Sequence, residues 1–235
     1  MTKGKLLYEG KAKRLYEADD PEQIIVEYTD RATAFNAAKV GTIASKGAIN
    51  NQIAAKLFQV LESKGVATHF VRILSDREMV VRRLSIIPVE VTIRNRVAGG
   101  MAQLFGIPEG KTLACPVCEL HYKSDPLGDP LINEYHVLAL KMATEEELKI
   151  IRERSFQVNN ILRHFFGERG MELVDFKLEF GRARGKILLG DEISPDTCRL
   201  WEVGTGKKLD KDRFRRDLGE VESAYQEVLH RVLKD

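Results

Sequence analysis

Cysteine and tryptophan are scarce in this 235-residue chain, which holds three of the first and one of the second. Three cysteines, an odd number, exclude a closed disulfide framework and fit a reducing compartment. No apolar stretch approaches a membrane span. Met1-Thr2-Lys3-Gly4 leads directly into strand-like residues without a signal-peptide core, so cytoplasmic residence is expected. Charge of one sign is also missing. The 37 basic and 35 acidic residues leave a net charge of +2, with no bulk field to recruit nucleic acid or an anionic membrane. Neither GxxxxGKS/T nor GxGxxG occurs, which excludes a P-loop and a Rossmann fingerprint. Cys115-Pro116-Val117-Cys118 followed by His121 has the spacing of half a zinc site, but no second CxxC or histidine pair follows, so ordinary cysteines are expected.

What is present is charge in alternation. Leu173-Val174-Asp175-Phe176-Lys177-Leu178-Glu179-Phe180-Gly181 reads as a strand with Asp175, Lys177 and Glu179 on one face and apolar residues on the other. Lys186 to Ile193 reads as the returning strand of a hairpin. With the turn centred on Ala183, Asp191 is expected beside Asp175. A solvated face is the ordinary fate of such a strand, but carboxylates crowded on one face repel unless a cation or a substrate joins them. The pattern therefore points to a bound metal.

The chain is long enough for one large domain or two intimate small ones, and it carries no internal repeat, low-complexity tract or linker. Residues 6 to 17 read as two strands about a glycine bend, followed by strands over 23–28, 70–74 and 79–84. Helical spacing of Ile49, Ile53, Leu57 and Val60 or Leu61 predicts a helix from about 44 to 64, stopped at Gly65. Pro108, Gly110, Pro116, Pro126, Gly128 and Pro130 predict loop with short elements over 104–140. Thr144 to Glu147 forms a capping box for a helix with Gly167 expected at its C-terminal cap. Asp210 is expected to cap a last helix with Phe214, Leu218, Val221, Tyr225, Val228 and Val232 as its buried stripe. Two lobes meeting near residues 80–85, with a ligand cleft between them, follow from this order.

Three further clusters carry chemistry. Gly10, Lys11 and Lys13 meet at the first bend, where glycine admits a phosphate and lysines neutralise it. The run Pro88-Val89-Glu90-Val91-Thr92-Ile93-Arg94 places Glu90, Thr92 and Arg94 on one strand face. Ser194-Pro195-Asp196-Thr197-Cys198-Arg199 follows Asp191-Glu192 and ends beside Trp201. Each alone has a structural reading as a solvated hairpin, a surface ion pair or a packing loop; four together with the same inward parity do not.

Over essentially its whole length the chain resembles the SAICAR synthetase family of purine-pathway ligases. The resemblance rests on Tyr8-Glu9-Gly10-Lys11-Ala12-Lys13, Ile87-Pro88-Val89-Glu90 with Arg94-Asn95-Arg96, Asp129-Pro130, Val174 to Gly181, Gly190-Asp191-Glu192 with Ser194-Pro195-Asp196, and Asp210 to Arg215. It implies a two-lobed α+β fold of antiparallel sheets with helices, related to ATP-grasp enzymes and the kinase N-lobe, with ATP in the inter-lobe cleft. Residues 1–83 would form a nucleotide-binding lobe and 84–235 a substrate and metal lobe. It also implies ATP-dependent joining of L-aspartate to the carboxylate of an aminoimidazole ribonucleotide, through an acyl phosphate, with ATP and Mg²⁺ required. In that reading Gly10, Lys11, Lys13 and Lys123 cradle the triphosphate, and the backbone of Val81, Arg82 and Leu84 meets the adenine. Glu179 and Asp191 hold Mg²⁺, and Glu90, Asp175 and Lys177 surround the carboxylate being activated. Arg94, Arg199, Gly99 and Gly100 take the ribose phosphate. Gly100 stands where many members have serine, Gln103-Leu104 where they have a basic pair, and Asn36 where some have an acid. The partners implied are small molecules, not nucleic acid or membrane, and a homodimer is compatible. A small-molecule kinase on a similar ATP cleft is the alternative, and a nucleotide-binding regulator without catalysis a third reading.

Overall fold

The computed structural model describes residues 2–35 and 38–234; Asn36 lies outside them. Alternating residues and short turns build the first sheet. Gly10 closes the bend between β1 (Leu6–Glu9) and β2 (Lys13–Glu17), and an acidic turn leads into β3 (Gln23–Tyr28). β4 (Arg31–Ala34) and β5 (Lys39–Thr42) form a separate hairpin. Helix α1 (Lys46–Ser63) buries Ile49, Ile53, Leu57 and Leu61, and Gly65 at φ +84° turns the chain out of it. β6 (Phe70–Ser75) and β7 (Glu78–Arg82) complete an antiparallel sheet of order β1-β2-β3-β7-β6, with α1 packed against it.

Between Arg82 and Ser85 the chain leaves this sheet for a second one. Its strands are β8 (Ser85–Arg96), β9 (Thr112–Tyr122), β10 (Leu131–Ile132), β11 (Met171–Ala183), β12 (Lys186–Leu189) and β13 (Cys198–Glu202). The order is β10-β9-β8-β11-β12, and β13 pairs with the first half of β11 along the edge that β12 occupies further on. The helices are α2 (Gly100–Phe105), α3 (Glu134–Ala139), α4 (Glu145–Gly167), α5 (Asp212–Arg215) and α6 (Val221–Leu233). α4 packs on β11 and β8, while α6 packs on α1. One apolar core thus runs from α1 and the first sheet through to α4 and the second. Val89, Val91, Ile93, Phe176, Leu178 and Phe180 enter it from β8 and β11.

The antiparallel α+β architecture is as expected, with four local corrections. Residues 112–122 form an eleven-residue strand rather than loop. The prolines and glycines flank it, and Pro116 falls at a register break between the pairs Arg94↔Val117 and Arg96↔Thr112, where the ladder does not need its missing N–H. The β11–β12 turn centres on Arg184-Gly185, not Ala183, because Ala183 pairs with Lys186 and both turn residues have positive φ (47° and 72°). That shift moves Asp191 away from Asp175 and beside Glu179, whose carbonyl accepts the Gly190 N–H at 2.9 Å. Helix α4 runs through Gly167 to a cap at Glu168, and the left-handed residue is Gly170 at φ +68°. The last helix is two helices, broken where Asp217, Gly219 and Glu220 all have positive φ. Asp210 stands one residue before the N-cap Lys211 of α5; it is fully buried and accepts the N–H groups of Leu200 and of Asp212, the first residue of α5.

Candidate active site

The register of β8 against β11 creates a polar sheet face inside the molecule. Asp175 stands opposite Arg94, Lys177 opposite Thr92 and Glu179 opposite Glu90. Two glutamates directly across a ladder repel, and lysines answer the repulsion. Lys177 Nζ lies 2.7 Å from Glu90 Oε1 and 3.3 Å from Glu179 Oε1, and Lys123 Nζ lies 2.7 Å from Glu179 Oε1. Glu90, Asp175 and Glu179 are each 7 % exposed or less, so these charges work in a medium where pairing is strong. Burial opposes the charge on Lys177, yet Glu179, Asp191 and Glu90 hold its ammonium above the ordinary lysine range.

At one end of this face the first sheet contributes cations. The Gly10 N–H donates to the Lys13 carbonyl at 2.8 Å, fixing the bend from which Lys13 reaches Asp191 and, at 3.0 Å, Glu192. Lys11 lies in the bend itself and crosses to Asp125 at 2.7 Å. Burial and the neighbouring Asp191 charge push the Glu179 carboxyl up. Asp191 goes the other way: burial works against its charge, but Lys13 and Lys177 hold it well below the usual carboxylate range.

At the other end Asp175 holds two arginines. Arg94 Nη1 donates to Asp175 Oδ2 at 2.6 Å and Arg94 Nε to Glu119 at 2.7 Å; Arg199 Nη1 reaches the same Asp175 oxygen at 2.8 Å and its Nε reaches Asp212 at 2.9 Å. Gly99 (φ +52°) closes this end. A Cβ there would overlap the Arg199 guanidinium, at 2.7 Å from Cζ, so a side chain fits only if Arg199 moves. Gly100 opens α2 with 4.0 Å between a Cβ position and Arg94 Nη2, leaving its backbone beside the arginine pair. A cavity of about 330 Å³ joins the two ends along β11.

A family model described as SAICAR synthetase matches residues 6–232. The chain belongs to the SAICAR synthetase family. It is 56 % identical over 238 residues to phosphoribosylaminoimidazole-succinocarboxamide synthase of Desulfitobacterium hafniense, covering all of both chains. A crystal structure of that synthase from Ehrlichia chaffeensis is similar with a TM-score of 0.95 and 44 % identity, over 97 % of this chain and 98 % of the other. A SAICAR synthetase solved in complex with ADP is similar at a TM-score of 0.94 and 43 % identity, over 97 % of each chain. This SAICAR synthetase family member is accordingly an ATP-dependent ligase of purine biosynthesis. The kinase alternative has no support from these relatives.

Most of the residues that the sequence singled out converge here, in a different grouping from the one expected. Asp175 and Lys177 line the same cavity but pair differently, and Asp175 accepts from Arg94 and Arg199. Lys177 belongs instead with Glu90, Glu179 and Lys123. Val81 is a core residue, fully buried in β7, and the Arg82 N–H is taken by the His69 carbonyl. The Arg82 side chain donates to the carbonyls of Thr68 and Phe70 and lines a separate cavity. Leu84 lies over Gly181 and Gly190, whose Cβ positions would come within 2.9 Å of it. Glu119, Glu192, Lys46 and Lys211 were missed. Lys46 opens a helix that reads as an apolar stripe, and Glu119 sits in the segment read as loop. Lys211 lies in the last of the family motifs but carries no local pattern that assigns it a role.

Proposed function

We propose that the enzyme joins L-aspartate to the carboxylate of 5-amino-1-(5-phosphoribosyl)imidazole-4-carboxylate at this cleft, releasing ADP and phosphate. The observation that carries the reading is the β8–β11 face, where Glu90, Lys177 and Glu179 lie between a lysine-rich end and an arginine–glycine end. A carboxylate is a poor electrophile until phosphorylated. Lys11, Lys13 and Lys123 suit the triphosphate, with Leu84 over the base; Arg94 and Arg199 suit the ribose phosphate by paired donors, helped by the backbone of Gly99 and Gly100. Between them an oxygen of the imidazole carboxylate attacks the γ-phosphorus, expelling ADP. The aspartate amine then attacks the carbonyl carbon, the C–O bond breaks, phosphate leaves and the nitrogen loses a proton. Lys177, held cationic by three carboxylates, suits the oxygen on which negative charge collects.

Glu179 and Asp191 are hard oxygen donors crowded enough for one to be pushed up by the other, which is the pairing that a divalent cation relieves. They would hold Mg²⁺, which when bound neutralises charge on the transferring phosphoryl group. Residues 1–83 serve in this reading as the nucleotide lobe and 84–235 as the substrate lobe, in a cytoplasmic enzyme.

ADP release from ATP and the ribonucleotide, measured with and without L-aspartate, tests the proposal. Turnover should require aspartate, stop on chelation of divalent cations and return with added Mg²⁺. A stable phosphoester product, or turnover indifferent to aspartate, would exclude the ligase reading.

A further inference from the structure

The polar face of β8 and β11 continues onto β9, where His121 stands opposite Glu90 and Glu119 opposite Thr92. Glu119 Oε2 accepts the Arg94 Nε–H at 2.7 Å, and the same oxygen lies 3.5 Å from His121 Nε2. The other ring nitrogen, Nδ1, lies 3.0 Å from the Asp129 carbonyl. A carbonyl oxygen only accepts, so that contact puts the single proton of a neutral ring on Nδ1. Nε2 is then a bare lone pair facing a carboxylate oxygen, buried and without a hydrogen-bond partner among the described residues. Two acceptors facing each other gain nothing. A second proton on the ring turns the contact into a charge-assisted one.

The other charges around the ring are already matched. Glu90, across the ladder on β8, is held by Lys177 at 2.7 Å and by Lys123, of the same strand as His121, at 3.6 Å. The Asp129 carboxylate accepts the Ser124 N–H at 2.8 Å, and β10 presents the apolar Leu131. Glu119 is therefore the acid that a proton on His121 answers. Burial alone would push its carboxyl up, yet His121 and Arg94 hold it below the ordinary range.

That proton changes the arginine end of the cleft. Arg94, Arg199 and Arg215 meet three carboxylates there, Glu119, Asp175 and Asp212, in contacts of 2.5 to 2.9 Å. Balanced one for one, these arginines bring no net charge to a phosphate dianion. A protonated His121 neutralises Glu119 and leaves the charge of Arg94 to the ligand. We propose that His121 is a positioning residue for the ribonucleotide: protonated on both nitrogens, it holds Glu119 between itself and Arg94, so that ribonucleotide binding and proton binding at His121 strengthen each other. The inference rests on the reading of Arg94 and Arg199 as ribose-phosphate ligands.

The KM for the ribonucleotide, measured from about pH 6 to 8 in the wild-type enzyme and in His121→Phe, tests it. Ionisation of the substrate phosphate is common to both enzymes and drops out of the ratio. Over that range the wild-type KM should rise about fivefold relative to that of the variant, the order expected from one unit charge next to the arginine that holds the ligand. The kcat and the KM for ATP should show no such divergence, since the triphosphate has its own lysines. Glu119→Gln removes the charge that the imidazolium answers and should flatten the same profile. Calorimetric titration with the ribonucleotide, in buffers of different ionisation enthalpy, should show proton uptake near neutral pH that is smaller in His121→Phe. Thermal unfolding checks that the variants fold, and His121→Gln carries the same expectations where His121→Phe does not fold. Parallel KM curves, whether superposed or offset, overturn the assignment. Failure of the underlying reading looks different, because Arg94→Ala would then leave the ribonucleotide KM unchanged.

Discussion

A single missing side chain controls the arginine end of the cleft. Gly99 combines a positive φ with a Cβ position inside the Arg199 guanidinium, so both backbone strain and contact select glycine. Gly99→Ala should cost about 1–2 kcal/mol in stability from the left-handed backbone alone. It should also swing Arg199 away from Asp175 and raise the KM for the ribonucleotide by about tenfold or more, as expected when a charge-assisted contact is lost. Urea unfolding together with ribonucleotide titration checks both effects; a stable variant with unchanged KM would show that ribonucleotide binding does not need Arg199 beside Asp175. Gly100 carries no such constraint. Its Cβ position has 4.0 Å to the nearest Arg94 nitrogen, so a serine fits there without rearrangement.

Among the elements, α4 is the one whose start is best defined. The Thr144 hydroxyl accepts the Glu147 N–H at 3.2 Å, and Glu147 Oε2 accepts the Thr144 N–H at 2.9 Å. Glu147 has a second task, a two-point pair with Arg182 of β11 at 2.6 and 2.7 Å, and this guanidinium holds its carboxyl down at about 2. The cap thus also pins the helix to the strand that carries Asp175, Lys177 and Glu179. Thr144→Ala should remove about 1 kcal/mol, which lowers Tm by about 2–4 °C in a chain of this length. Glu147→Ala should cost more, since it breaks the cap and the bridge together, and differential scanning calorimetry of the two variants orders them. The capping box was legible because its residues are four neighbours in sequence. The split between α5 and α6 was not: the apolar spacing runs on through Leu218, and only the positive φ values at Asp217, Gly219 and Glu220 reveal the break.

Across the whole molecule the two sheets are joined behind the cleft by the segment before β6. The Leu189 N–H donates to Ala67 O, the His69 N–H to Leu189 O and the Arg82 N–H to His69 O, at 3.1, 2.8 and 2.7 Å. His69 is 6 % exposed, its ring lies edge-on to Phe58 at 5.3 Å, and burial pushes its pKa down to about 4. A histidine held neutral in the fold and free to protonate in the unfolded chain makes unfolding take up a proton between about pH 4 and 6.5. The folded pKa is the depressed one, so this stability is present above pH 6.5 and is lost as the pH falls. Between pH 6.5 and 4.5 the loss should be on the order of 2–3 kcal/mol. Tm measured across that range should fall more steeply for the wild-type chain than for His69→Gln; parallel curves would remove His69 from the account.

The sequence by itself determined the secondary structure of the long periodic segments, the antiparallel character of the sheets and the identity of most of the charged residues that meet in the cleft. Periodicity is a local property, and Asp175, Lys177 and Glu179 share a face whatever lies opposite them. Partnership is not local. Which cation answers Asp175, and whether Asp191 falls beside it or beside Glu179, depended on where one hairpin turn is centred and on the register of β8, neither of which the strands specify alone. The tertiary structure therefore decided that Asp175 aligns the arginines while Lys177 joins the glutamates. It also decided that Glu119 lies between Arg94 and His121, since that depends on the register of β9 against β8, in a segment whose prolines and glycines read as loop.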